Sequence, residues 1–210
     1  MLEHSIRFHD PDTQWGRGAM DFTWKSSRPN GQVSYLFDIV IAADGTFSLQ
    51  GDRKGSALEY RVEGPDVWAR VDGEEDLSEE LRQSMGLTRD GGFFWRDYLG
   101  FLAGLPMCLR VPSVQIEPGV GDTDFEGKSV RTIRATFSPE VGSDIWTFYF
   151  DPETSQLLGC RFDREDPARD GETIVFEGLS DISGIKIPKT RRWYMNKDQR
   201  FLGTDELTKN

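Results

Sequence analysis

At 210 residues, 37% hydrophobic, 29% charged and 12% aromatic, the chain is globular and long enough to bury most of its unfolded surface without disulfide staples. A net charge of −11 repels polyanions, which excludes nucleic acid as a partner and disfavours an anionic membrane surface. The longest apolar run, Ile39–Ala43, falls far short of the ~20 residues of a membrane-spanning helix, so no integral membrane span is expected.

Leu2–Phe8 reads as a short helix with Leu2 and Ile6 on its apolar side, stopped at Asp10-Pro11 because the residue before a proline avoids helical backbone. From Met20 to Asp72 alternating runs are cut by turn signals at Arg28–Gly31, Ala43–Gly45, Gly51-Asp52, Gly64–Asp66 and Asp72-Gly73, the pattern of an antiparallel meander. Ser78–Leu87 reads as a helix with Ser78 as N-cap and Leu81 and Met85 one turn apart. The next helix, Phe93–Leu105, is apolar around most of its circumference. Phe94, Tyr98, Phe101 and Leu105 form one stripe and Trp95, Leu99 and Leu102 the next, before Gly104 and Pro106 end it. Strands return as Val130–Phe137, Ile145–Asp151, Leu157–Asp163, Glu172–Leu179, Gly184–Asn196 and Arg200–Glu206. The layout is one domain over 1–210: β meander 20–72, helical insertion 76–106, β meander 110–206.

FYFDPETSQLLGCRF (Phe148–Phe162), followed by IVFEGLSDISGIKIPKTRRWY (Ile174–Tyr194), resembles the C-terminal half of the LolA/LolB-like lipoprotein-localisation superfamily: strand, D-P-x-T, returning strand, then a G-I-x-I-P-x strand. His9–Pro11, Gly104–Arg110, Phe148–Thr154 and Arg200–Asp205 are similar to a secreted Bacteroidetes family of unknown function. The resemblance implies a mainly β, α+β fold. It is a strongly curved antiparallel sheet forming an open, unclosed barrel, with central helices as a lid and a short N-terminal helix. It also implies a periplasmic or outer-membrane-surface location. The chain opens MLEHSIRFHDP, charged from its third residue and without the apolar core of a secretory leader, so that location presupposes a leader outside this sequence; cytoplasm is the alternative.

Motif chemistry is sparse. His4 and His9 stand about 140° apart on a helix and share no face, and His9-Asp10-Pro11 reads as a helix stop. No nucleophile elbow, zinc-protease, P-loop or dinucleotide fingerprint occurs, so no cofactor and no metal are called for. Cys108 and Cys160 could pair or remain two buried thiols; the alternation of Cys160 with Leu158 and Phe162 favours the latter. In the most basic strand, Lys186, Arg192 and Tyr194 share one face and Lys189, Arg191 and Trp193 the other. These basic residues either pair with acids such as Glu172 or Glu177, or greet a lipid head group or a partner's acidic surface.

The hairpin Trp146–Phe162 is apolar on both faces, which demands either two buried faces or one face lining a hollow. The expected hollow is lined by Trp68, Phe94, Tyr98, Phe101, Leu102, Trp146, Phe148, Phe150, Phe176 and Trp193, with Gly91-Gly92 as a hinge ahead of the helix. Its expected occupant is a lipid or acyl chain, or an acylated partner such as a lipoprotein, held without catalysis. Two rivals are a filled, ligand-free β interaction module and a carboxylate-based hydrolase.

Overall fold

Period-two alternation in Met20–Ser27, Val33–Ile41 and Ser56–Glu63 sends one row of each strand into a core and the other into water. A computed structural model describes residues 1–87, 94–119, 121–138, 143–164 and 170–209, with Phe94 described by its backbone alone. A helix α1 (Leu2–His9) precedes β1 (Met20–Ser27), β2 (Val33–Ile41), β3 (Phe47–Arg53), β4 (Ser56–Glu63) and β5 (Asp66–Val71). Helices α2 (Glu79–Met85) and α3 (Phe94–Gly104) follow, then a 3-10 turn over Met107–Arg110. The remaining strands are β6 (Val114–Ile116), β7 (Gly121–Phe125), β8 (Lys128–Phe137), β9 (Ile145–Phe150), β10 (Leu157–Asp163), β11 (Glu172–Ile182), β12 (Ile185–Met195) and β13 (Phe201–Lys209).

All thirteen belong to one antiparallel sheet, ordered β5-β4-β3-β2-β1-β13-β12-β11-β10-β9-β8-β6, with β7 also on β8. The last strand inserts beside the first, pairing Trp24 with Leu207 and so joining the two meanders. Among the described residues β5 and β6 do not pair, and the sheet stays open. It curls around α3: Phe47 of β3, Phe148 of β9 and Leu99 of α3 share one apolar core.

The structure departs from the sequence reading at several places, among them β11, which runs to Ile182 and not Leu179. Strands resume at Val114 rather than Val130, through β6 and the β7–β8 hairpin. The last strand runs to Lys209 instead of Glu206. Gly51-Asp52 is not a turn: β3 continues through it and the chain reverses at Lys54-Gly55, both at positive φ. Gly51 is instead a close approach, since a Cβ there would sit 2.0 Å from the Leu36 carbonyl oxygen. The Gly91-Gly92 hinge lies outside the described residues.

The two greasy faces of the β9–β10 hairpin have separate destinations. Phe148, Phe150, Leu157 and Cys160 face the main core, and both cysteines are free thiols. Tyr149 faces the convex side, where a second cluster of Phe125, Val130, Tyr149 and Val175 forms under the β7–β8 hairpin. Phe125 stacks on Tyr149 with ring centroids 4.1 Å apart.

At one end of the molecule α1 is fastened by polar residues. The imidazole of His9, fully buried, accepts the Leu157 N–H on Nε2 at 3.0 Å and donates from Nδ1 to the Lys186 carbonyl. The last residue of α1 thereby ties β10 to β12. Burial brings its pKa down to about 4, so the ring is neutral at pH 7. Asp10 accepts the N–H groups of Gln14 and Trp15, at 2.7 and 2.9 Å, and this holds Trp15 against α3. A Cβ at Gly104 would lie 2.5 Å from the Trp15 ring, so glycine at that position is what lets the indole pack on the end of α3. Asp151 caps its own D-P-E-T turn, accepting from the Glu153 and Thr154 backbone N–H groups and from the Thr154 hydroxyl.

Candidate ligand-binding site

Helix α3 both fills the hollow and creates its openings. Trp95, Leu99, Leu102 and Ala103, each at most 3% exposed, press into the concave sheet. Trp95 lies edge-on to Tyr35 and Phe37, both at 5.4 Å, with the Arg53 guanidinium stacked on it at 4.4 Å. The neighbouring stripe, Tyr98 and Phe101, is only partly covered and faces two open grooves, one on each flank of the helix.

The larger groove, about 910 Å³, runs over the ends of β1, β13, β12, β11, β10 and β9. Register places Trp146, Phe162 and Glu172 side by side across its floor, with Trp193 on the adjoining strand. Tyr98 stacks on Trp193 at 6.4 Å from the helix side. Gly203 belongs to this wall because a Cβ there would lie 2.3 Å from the Ser27 carbonyl oxygen. The second groove, about 730 Å³, lies between Trp15, Phe47, Cys108, Val111 and Phe137. Both grooves share Asp97, Tyr98, Phe101, Asp144 and Trp146. Phe101 meets Trp146 edge-on at 5.1 Å, which makes this contact the ridge between them. Each volume falls within the few hundred to about 1,000 Å³ of ordinary small-molecule sites.

A buried arginine sets the height of α3 above the sheet. Arg191 of β12 is fully buried, stacked on Trp24 at 4.6 Å. It donates to the Leu102 carbonyl in the last turn of α3 at 3.0 Å and to the Pro188 carbonyl at 2.8 Å. Burial lowers its pKa to about 10, which leaves it charged at pH 7, helped by Asp205, its register partner on β13. Asp205, 3% exposed, accepts the Trp193 indole N–H at 2.8 Å and the Ser26 hydroxyl; burial raises its carboxyl pKa. Burial also raises the Glu172 carboxyl on the groove floor. Of the basic strand, Arg192 pairs with Glu177 at 2.7 Å.

The structure brings five of the ten expected hollow residues to the grooves: Tyr98, Phe101, Trp146 and Trp193 as partly covered rings, and Leu102, 1% exposed, at the edge of the core beneath the larger groove. Phe148, Phe150 and Phe176 lie on the same concave face but are consumed in the core, at 5% exposure or less. Trp68 is a correction. It pairs across β4–β5 with Arg61 on the convex face, 37% exposed beneath Arg70, because one step along a strand reverses the side. The Phe94 side chain lies outside the described residues. Sequence reasoning missed Phe162, Phe137 and Trp15 as groove walls, and Arg191 as the residue that holds the helix. The period-two face shared by Arg191 and the floor residue Trp193 was the available signal for the last of these.

Solved structures share this fold, among them two with TM-scores above 0.5. A LolA superfamily protein from Nitrosomonas europaea superposes with a TM-score of 0.57 at 9% identity, covering 98% of this chain and 89% of that one. A putative outer membrane lipoprotein-sorting protein domain from Vibrio parahaemolyticus gives 0.54 at 11% identity, covering 98% and 88%. No functionally curated protein matches the chain. The fold is thus LolA-like, and the chain, matched from residue 1 to residue 210, belongs to a family of unknown function, DUF6503.

Proposed function

We propose that this is a non-catalytic cell-envelope protein that binds a lipid, or the acyl chains of an acylated partner such as a lipoprotein, in the grooves flanking α3. The observation that carries this reading is the pair of open, aromatic-walled grooves meeting at the Phe101–Trp146 ridge, on a sheet whose centre is otherwise packed. Aliphatic chains need no specific hydrogen bond there; each buried methylene contributes ~0.8 kcal/mol, so ten or more offset the entropy of association. The fold kinship with a lipoprotein-sorting domain supports the same reading and the location, periplasm or outer-membrane surface.

A ligand-free interaction module is the second reading. It is favoured by one observation, the burial of Leu99, Leu102 and Ala103 against the sheet, where α3 takes up the centre of the concave face.

Delipidated protein distinguishes the two. A saturating phospholipid at a hundredfold over its Kd contributes ~2.7 kcal/mol, which raises Tm by roughly 5–10 °C for a chain of this size. An unchanged Tm at saturation selects the ligand-free module.

A further inference from the structure

The rim where the two grooves meet is polar and carries charges of both signs. Asp97 of α3 and Asp144 ahead of β9 line both grooves. Each carries an arginine: Arg96 contacts Asp97 at 2.8 Å, and Arg164 contacts Asp144 at 3.4 Å. Arg96 lines the smaller groove and Arg164 the larger, so one guanidinium stands on each side of the ridge. The Arg164 guanidinium also lies over the Phe162 ring at 5.1 Å, which fixes it above the groove floor. Partly exposed ion pairs of this kind exchange partners at little cost.

We propose that the occupant is a two-chain lipid with a zwitterionic head bearing a primary amine: one acyl chain in each groove, the head over the Phe101–Trp146 ridge. This rests on the cargo reading above and adds the class of lipid. Two grooves meeting at one ridge fit a branched ligand better than a single chain. At the junction two carboxylates and two guanidinium groups balance. An ammonium group replaces an arginine on Asp97 or Asp144, and the phosphate takes the guanidinium thus released, by two parallel N–H···O bonds. A head with net negative charge lacks the first exchange. It also meets Asp97, Asp144 and Glu172, more acids than the two cations Arg28 and Arg164, along the larger groove of a chain whose net charge is −11.

The test titrates delipidated full-length protein with dioleoyl phosphatidylethanolamine, dioleoyl phosphatidylglycerol and oleic acid in the same detergent, with bound lipid counted by native mass spectrometry. The expected result is one phosphatidylethanolamine per chain, bound at least tenfold more tightly than either alternative. In Asp97→Asn/Asp144→Asn the preference over phosphatidylglycerol falls below threefold while lipid is still retained; both residues are partly exposed, so the fold is kept. Equal binding of the two phospholipids, or an undiminished preference in the double variant, overturns the head-group assignment and leaves the cargo reading standing. Oleic acid binding as tightly as phosphatidylethanolamine overturns the two-chain assignment. Binding of none of the three overturns this inference and the cargo reading together.

Discussion

At the α1 end of the molecule His9 and Asp10 find their partners inside the protein, whereas along the flanks of α3 polar side chains stand at the mouths of grooves. His9 meets two backbone groups from β10 and β12, and Asp10 meets two more in the following loop. Glu3 pairs with Arg110, which closes α1 onto the turn after α3. At the other region Asp97 and Asp144 pair with the neighbouring Arg96 and Arg164, and Tyr98, Phe101 and Trp146 are left partly uncovered. The first region is built for rigidity and the second for contact. Arg191 lies between them, bonded to the last turn of α3.

This contrast can be broken by substitution. The largest expected effect is at Arg191: Arg191→Met strips the Leu102 and Pro188 carbonyls of their donor and leaves Asp205 without its neighbouring cation, costing ~3–5 kcal/mol in urea denaturation. Next comes acidification. A histidine free in the unfolded chain titrates near 6.5, and His9 in the folded chain near 4. Between those values the unfolded state takes up a proton that the folded state refuses. The stabilisation is therefore complete above about pH 6.5 and is lost as pH falls toward 4, by up to ~3 kcal/mol. Asp205 and Glu172, whose carboxyl pKa values are raised on folding, pull in the opposite direction at acid pH. The readout is accordingly the wild-type profile minus that of His9→Gln, and a flat difference removes the claim. On the groove side, Trp146→Ala costs a smaller ~1–3 kcal/mol, since the ring is only partly covered, yet reduces retained phospholipid severalfold. Smallest of all, Trp68→Ser on the convex face costs about 1 kcal/mol through the lost Arg70 stacking and changes lipid retention not at all.

How much of this was legible in the sequence follows from the same contrast. Local signals read well: the Ser78 cap accepts the Leu81 N–H, and α3 ends at Gly104. Alternation located the long strands, whereas β6 and β7, with only three and five residues, are too short to show a period. Gly51 was misread because a glycine that permits a turn and one that permits a backbone close approach look alike in sequence. Aromatic content pointed to the groove but could not divide Phe148 from Trp146: both face inward, and only the position of α3 decides which is covered. The shared face with Trp193 placed Arg191 toward the sheet's inner side, but its burial was not legible because it depends on a carbonyl, that of Leu102, supplied by a distant segment.

The most direct test of the cargo reading uses the chain's own fluorophores. Trp146 and Trp193 line the grooves, while Trp68 lies on the opposite face of the sheet. Phospholipid with dibrominated acyl chains, added to the delipidated protein, is predicted to quench emission that Trp146→Phe and Trp193→Phe each remove in large part and Trp68→Phe leaves untouched. Quenching that disappears with Trp68, or no quenching at saturating lipid, would contradict the placement of an acyl chain beside α3.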